Sequence, residues 1–163
     1  MKNSNFLKTI HEEEKLELVE TSRDIALSYE KKSIECREVA KLAFKNNYFE
    51  STVTQSYYSM YNNVLSLFFL CGIKCENHSA SVILLKDVFN QIQLYALFSE
   101  AKTERIDKQY YTSTFENIPA SKESAKESIN KMIEFNTQIS SLKINLKNED
   151  IKKIRNKLNS FFN

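Results

Sequence analysis

The chain of 163 residues contains one glycine, one proline and no tryptophan. Sheets need tight turns, and tight turns lean on glycine, proline and asparagine. This scarcity argues against a sandwich or barrel and leaves helices joined by Asn, Ser and Lys turns. A long hydrophobic run is missing as well. The longest, Val64 to Ile73, is about half of the ~20 residues that cross a bilayer, so it reads as a core helix. Charge of one sign is also missing: 23 Lys and Arg stand against 21 Asp and Glu, a net charge of +2. That balance is too mild for a dedicated basic nucleic-acid domain, although a local basic face stays open. The three cysteines are an odd number without a secretory context. Between Met1 and Glu14 there is no apolar signal core, so they read as reduced thiols of a cytoplasmic protein with no membrane span.

What is present is helical periodicity. Residues 1–21 read as an N-terminal extension, in which Phe6, Leu7 and Ile10 line a short amphipathic helix and Lys15 to Glu20 alternates like an extended segment. Thr21 and Ser22 suit an N-cap, with Asp24 in the first turn. The helix that follows, about 22–46, is expected to bury Ile25, Tyr29, Cys36, Val39 and Ala43. The next, about 48–71, carries Phe49, Val53, Tyr57, Met60, Val64 and Leu67 at spacings of three and four. Beside this row runs a second stripe of Tyr58, Tyr61 and Leu65. An apolar arc that wide predicts a central helix, or one at a subunit interface. Gly72 fits the left-handed residue after its C-terminus. A further helix is expected over about 79–99, capped by Asn77 or Ser79, with Val82, Leu85, Phe89, Ile92 and Ala96 on one face. Residues 100–118 look irregular. A helix over about 120–142 and an added C-terminal helix over 148–162, with Ile151, Ile154, Leu158 and Phe161, complete the chain. The reading is all-α: an antiparallel four- to five-helix up-and-down bundle, one domain over 22–163.

Four pieces of this sequence occur in an order that resembles the HEPN superfamily, in particular its small stand-alone prokaryotic branch. They are Ala40-Lys41-Leu42-Ala43 with Asn47-Tyr48, the run Tyr57 to Tyr61, the segment from Phe68 or Phe69 through Gly72-Ile73-Lys74 to His78, and Arg105 to Tyr110. The resemblance implies a helical bundle that homodimerises. It implies a toxin-like or RNA- or nucleotide-binding module, in some members paired with a minimal nucleotidyltransferase antitoxin. Many members are metal-independent endoribonucleases whose motif is an arginine, four to six residues, then a histidine. Here Arg105 matches the arginine, but the histidine slot holds Tyr110. Thr112 stands where one toxin group carries a modified tyrosine.

Arg105 is the foremost candidate, for catalysis or binding: a guanidinium keeps its charge and can grip a phosphate in bidentate fashion. Tyr110 is a catalytic candidate by position alone, since a phenol with a pKa near 10 replaces an imidazole base poorly. Tyr110 and Tyr111 are otherwise candidates to stack on a base or to pack. His78, at a helix start, is a candidate phosphate contact or a packing residue. Cys71, Cys75 and His78 have metal-ligand chemistry but no second ligand pair, so they read as thiols and no metal or cofactor is expected. Tyr57, Tyr58 and Tyr61 are expected to pack and to contribute to a dimer interface. Gln55, Ser56 and Asn62 need polar partners wherever they are buried. The basic run Lys152-Lys153-Ile154-Arg155 reads as a solvated face or an extension of a phosphate-binding surface. Three functions follow: an RNA- or nucleotide-binding, toxin-like module; a ribonuclease using Arg105 from two subunits without the motif histidine; and a non-catalytic interaction scaffold.

Overall fold

The computed structural model describes residues 2–110 and 120–162, with only the backbone described for residues 2 and 107–110. The described residues form seven helices and one small sheet: α1 (Lys2–Glu12), β1 (Leu16–Leu18), α2 (Arg23–Lys45), α3 (Phe49–Leu70), β2 (Ile73–Cys75), α4 (His78–Asp87), α5 (Ile92–Tyr110), α6 (Lys122–Asn145) and α7 (Asn148–Asn159). The fold is an all-α bundle. No helix among the described residues is long and apolar enough to cross a membrane.

Helix α3 is the axis, packed by α2, α5 and α6. Val53, Tyr57, Met60, Val64, Leu67 and Phe68 are each at most 2% exposed, as the wide apolar arc predicts. The helix ends at Gly72, whose φ of +66° lies in the left-handed region. Chain flanking this turn forms the sheet. β1 and β2 run antiparallel and align Leu16 with Cys75, Glu17 with Lys74 and Leu18 with Ile73. The extended reading of 15–20 thus finds its partner in Ile73–Cys75. Leu7, Ile10 and Leu16 are buried in the same core as α3.

Three expectations are corrected. Ser22 does cap α2, accepting from the Ile25 amide, but Ile25 and Val39 are 43% and 47% exposed. The inward face is Ala26, Ser33, Ala40 and Ala43 instead. Small residues let α2 approach α3 closely enough for a reciprocal pair: Ser33 Oγ donates to the Ser59 carbonyl at 2.7 Å and Ser59 Oγ to the Ser33 carbonyl at 2.8 Å. Second, the expected helix 79–99 is two helices. Asn90 takes a left-handed φ of 57°, and α5 restarts with a new phase that buries Leu94, Phe98, Ala101 and Arg105 while Ile92 is 68% exposed. Third, α5 continues to Tyr110 where an irregular stretch is expected.

The polar residues of α3 are stitched to their neighbours. Thr52, Ser56, Ser59, Asn63 and Ser66 lie three and four apart and are at most 4% exposed. Ser128 Oγ donates to Ser56, Asn136 Nδ2 to Ser59 and Asn63 Nδ2 to Asn136, while Lys143 Nζ donates to Asn63 and Ser66. Satisfied networks of this kind hold register between helices, because each broken bond would strand a buried polar group.

Candidate functional site

Arg105 lies on the inward stripe of α5, three turns beyond Leu94, and is 8% exposed. At that depth its guanidinium meets α3. The group lies over the Tyr57 ring at 5.2 Å and the Tyr58 ring at 5.4 Å, and its Nη1 donates to Tyr58 Oη at 3.2 Å. A desolvated guanidinium is well held this way, since aromatic faces attract cations without discharging them.

The start of α4 enters the same space. Asn77 caps the helix, its Oδ1 accepting from the Ala80 amide and its carbonyl from the Ser81 amide. His78 is therefore the first helical residue rather than the cap. Its ring stacks on Tyr61 at 4.0 Å and 21°, and its Nδ1 lies 2.6 Å from Tyr57 Oη. Tyr57 is anchored on its far side by Phe98, whose centroid is 5.5 Å away. The next residue, Ser79, accepts from Lys102 Nζ at 2.6 Å. Lys102 sits one turn before Arg105 on α5 and makes no ion pair among the described residues.

The electrostatics follow from burial beside two cations. Burial first, then Arg105 and Lys102, press the His78 imidazole down to a pKa of about 4, so it is neutral at pH 7. Burial, with Arg105 second, also lowers the Lys102 ammonium. Burial raises the Tyr57 hydroxyl against the opposing pull of Arg105, so it stays protonated. Nδ1 of His78 is the acceptor that this hydroxyl finds among the described residues. The imidazole proton then resides on Nε2. The cluster thus combines two cations, a neutral N–H donor, a serine hydroxyl and the positive end of a ten-residue helix. Together these groups can hold an anion.

The structure brings Arg105 and His78 together, although they are 27 positions apart. Tyr110 ends the backbone of α5, but its side chain, Tyr111 and Thr112 lie outside the described residues. Tyr57 is 1% exposed within the single chain, so its contacts are internal; Tyr58 and Tyr61 are half-buried. Cys71 and Cys75 are buried free thiols, and burial pushes Cys71 up to about 12. Arg155 is not part of a solvated basic face. Its Nη1 donates to the carbonyls of Val19, Cys71 and Gly72 at 2.8, 3.1 and 2.8 Å. Lys102 is not among the residues the sequence singles out, and Ser79 is one only as a candidate cap. The spacing Phe98, Ala101, Arg105 would have revealed Lys102 had 100–110 been read as helix.

A family model described as the HEPN domain matches residues 27–159. No curated protein and no solved structure matches the chain.

Proposed function

The chain belongs to the HEPN family, and on that premise we propose that it is a toxin-like module that binds an RNA or nucleotide phosphate at Arg105, Lys102 and the N-terminus of α4. The observation that carries this reading is the convergence of Lys102 on Ser79 and of Arg105 on the tyrosine pair that also holds His78. A phosphate oxygen arriving there exchanges the Ser79 hydroxyl for a charge on Lys102 and accepts from the His78 Nε2–H. Charge-assisted bonds of this type are stronger than neutral ones. The half-buried rings of Tyr58 and Tyr61 offer faces for a base. The free thiols suit a reducing compartment, and a nucleotidyltransferase antitoxin and a homodimer belong to the same reading.

Binding of labelled RNA, followed at several salt concentrations, tests it. The wild type is expected to bind with a salt-dependent affinity, and Lys102→Ala to lower both the affinity and the salt slope by about one counterion. A wild type that binds neither RNA nor ATP overturns the proposal and leaves the scaffold reading.

One observation favours a second reading, the metal-independent ribonuclease. The fold supplies an imidazole beside Arg105 from α4 instead of from the motif slot. In such a cleavage the ribose 2′-hydroxyl attacks phosphorus and the 5′-oxygen leaves. Arg105 and Lys102 stabilise the phosphorane charge, and the neutral His78 Nε2–H is placed to donate a hydrogen bond to it, while solvent water takes the 2′-hydroxyl proton and returns one to the leaving 5′-oxygen. RNA cleavage that persists in EDTA and is lost in His78→Ala selects this reading over plain binding.

A further inference from the structure

Residues of α2, the C-terminal end of α3, the last turns of α6 and the start of α7 line a cleft of about 460 Å³. That volume suits a small molecule, whose sites span roughly 300–1,000 Å³. The lining divides into an apolar wall and a charged floor. Leu70, Leu146 and Ile151 are half-buried in the wall. Leu27 and Ile144 extend it into solvent, 55% and 83% exposed, where a helix facing only water carries polar residues. Lys143, with its side chain 8% exposed, forms the floor. Beyond Asn63 and Ser66 its partner is Glu30, 3.3 Å away and itself 41% exposed. Burial lowers the Lys143 ammonium against the opposing pull of Glu30, so this half-exposed carboxylate compensates it incompletely. Arg23 lines the same cleft two turns before Glu30 on α2. Its side chain makes no hydrogen bond or ion pair among the described residues. Two cations thus face one carboxylate.

We propose that this cleft binds a small monocarboxylate with an aliphatic body. The surplus of one positive charge selects the headgroup: a single negative charge neutralises the cleft, whereas a cationic amphiphile adds to the surplus. The carboxylate takes the place of Glu30 at Lys143, and the Arg23 fork grips it from the open side. Glu30 turns to water at little cost, because a half-exposed ion pair is weak. The aliphatic body lies along Leu27, Leu70, Ile144 and Ile151, and the apolar surface covered on both sides contributes the rest of the affinity. A neutral alkyl compound gains only that second part.

Isothermal titration calorimetry with sodium octanoate tests the site, with 1-octanol and octylammonium as headgroup controls. The wild type is expected to bind octanoate at a single saturable site with a Kd on the order of 0.1 mM. Each control is expected to bind about tenfold more weakly or worse. Arg23→Gln is expected to weaken octanoate about tenfold, and Ile144→Glu, which sets a carboxylate at the mouth, at least as much. Glu30→Gln removes the competitor for Lys143 and is expected to tighten octanoate several-fold. That gain separates a binding site from a merely structural ion pair, whose loss strengthens nothing. Circular dichroism checks that each variant stays folded, which these exposed and half-exposed positions favour. A wild type without saturable binding up to about 10 mM octanoate overturns the proposal. So does equal affinity for octanol, indifference to Arg23→Gln, or a Glu30→Gln variant that binds no more tightly. None of these residues belongs to the phosphate cluster, so loss of RNA binding and loss of octanoate binding are separately readable.

Discussion

The His78 imidazole is held neutral by its neighbours, and that has a thermodynamic consequence. In an unfolded chain a histidine takes up its proton near pH 6.5; in the fold His78 does so only near 4. Between these values the unfolded chain binds more protons, so stability falls as pH drops from about 6.5 to about 4. Above that window His78 contributes no such penalty, and below it the penalty is constant. With allowance for the partial exposure of the ring, the loss is on the order of 2 kcal/mol. Denaturant unfolding across this range is expected to show the slope in the wild type and a flatter profile in His78→Gln. An imidazole resonance of His78 that titrates at 6 or above would contradict the account. Arg105 shows the same dependence on surroundings. Its identity is visible in the sequence, but its partners Tyr57 and Tyr58 are 48 and 47 positions away.

At the scale of elements, the turn between α3 and β2 is the most constrained junction. A Cβ on Gly72 would collide with the Arg155 guanidinium and lie 2.5 Å from the Val19 carbonyl oxygen. The positive φ adds its own penalty for any residue with a side chain. Gly72→Ala is therefore expected to cost about 3 kcal/mol in denaturant unfolding. Arg155→Ala, which strands the Val19 and Cys71 carbonyls while Gly72 keeps the Val19 amide, is expected to cost a similar amount, about 3 kcal/mol. If the turn and the clamp act as one unit, the double variant loses less than the two single losses added together. Full additivity would show them to be independent. The other decisive junction is Asn90. Its left-handed backbone splits the helical run and resets the phase of α5, and that new phase is what carries Arg105 inward.

At the scale of the whole molecule, the first twenty residues are continuous with the bundle. Leu7, Ile10 and Leu16 are at most 5% exposed, His11 stacks on Phe162 with centroids 3.7 Å apart, and β1 pairs with β2. Each of the three buried aliphatic side chains is worth about 2–3 kcal/mol. Their sum is comparable with the 5–15 kcal/mol that typically holds a domain together. Deleting residues 1–19 is therefore expected to abolish cooperative thermal unfolding or to lower its midpoint by roughly 15 °C or more. A truncated chain that melts like the full one would show the segment to be a mere appendage.

Local rules carried far in this chain. The lack of glycine and proline, the wide arc of α3, the Ser22 cap and the single Gly72 determined an all-α bundle with a central helix, because propensity, capping and left-handed backbone act within a few residues. The sequence also identified Arg105 and His78 one by one. Tertiary structure alone decided which face of α2 is buried, since close approach to α3 favours Ala and Ser over Ile and Val. It alone gave β2 its partner, made Arg155 a clamp, and drew His78, Lys102 and Arg105 into one cluster. Those outcomes depend on contacts between residues distant in the chain, and such contacts leave no periodic trace in the segments that make them.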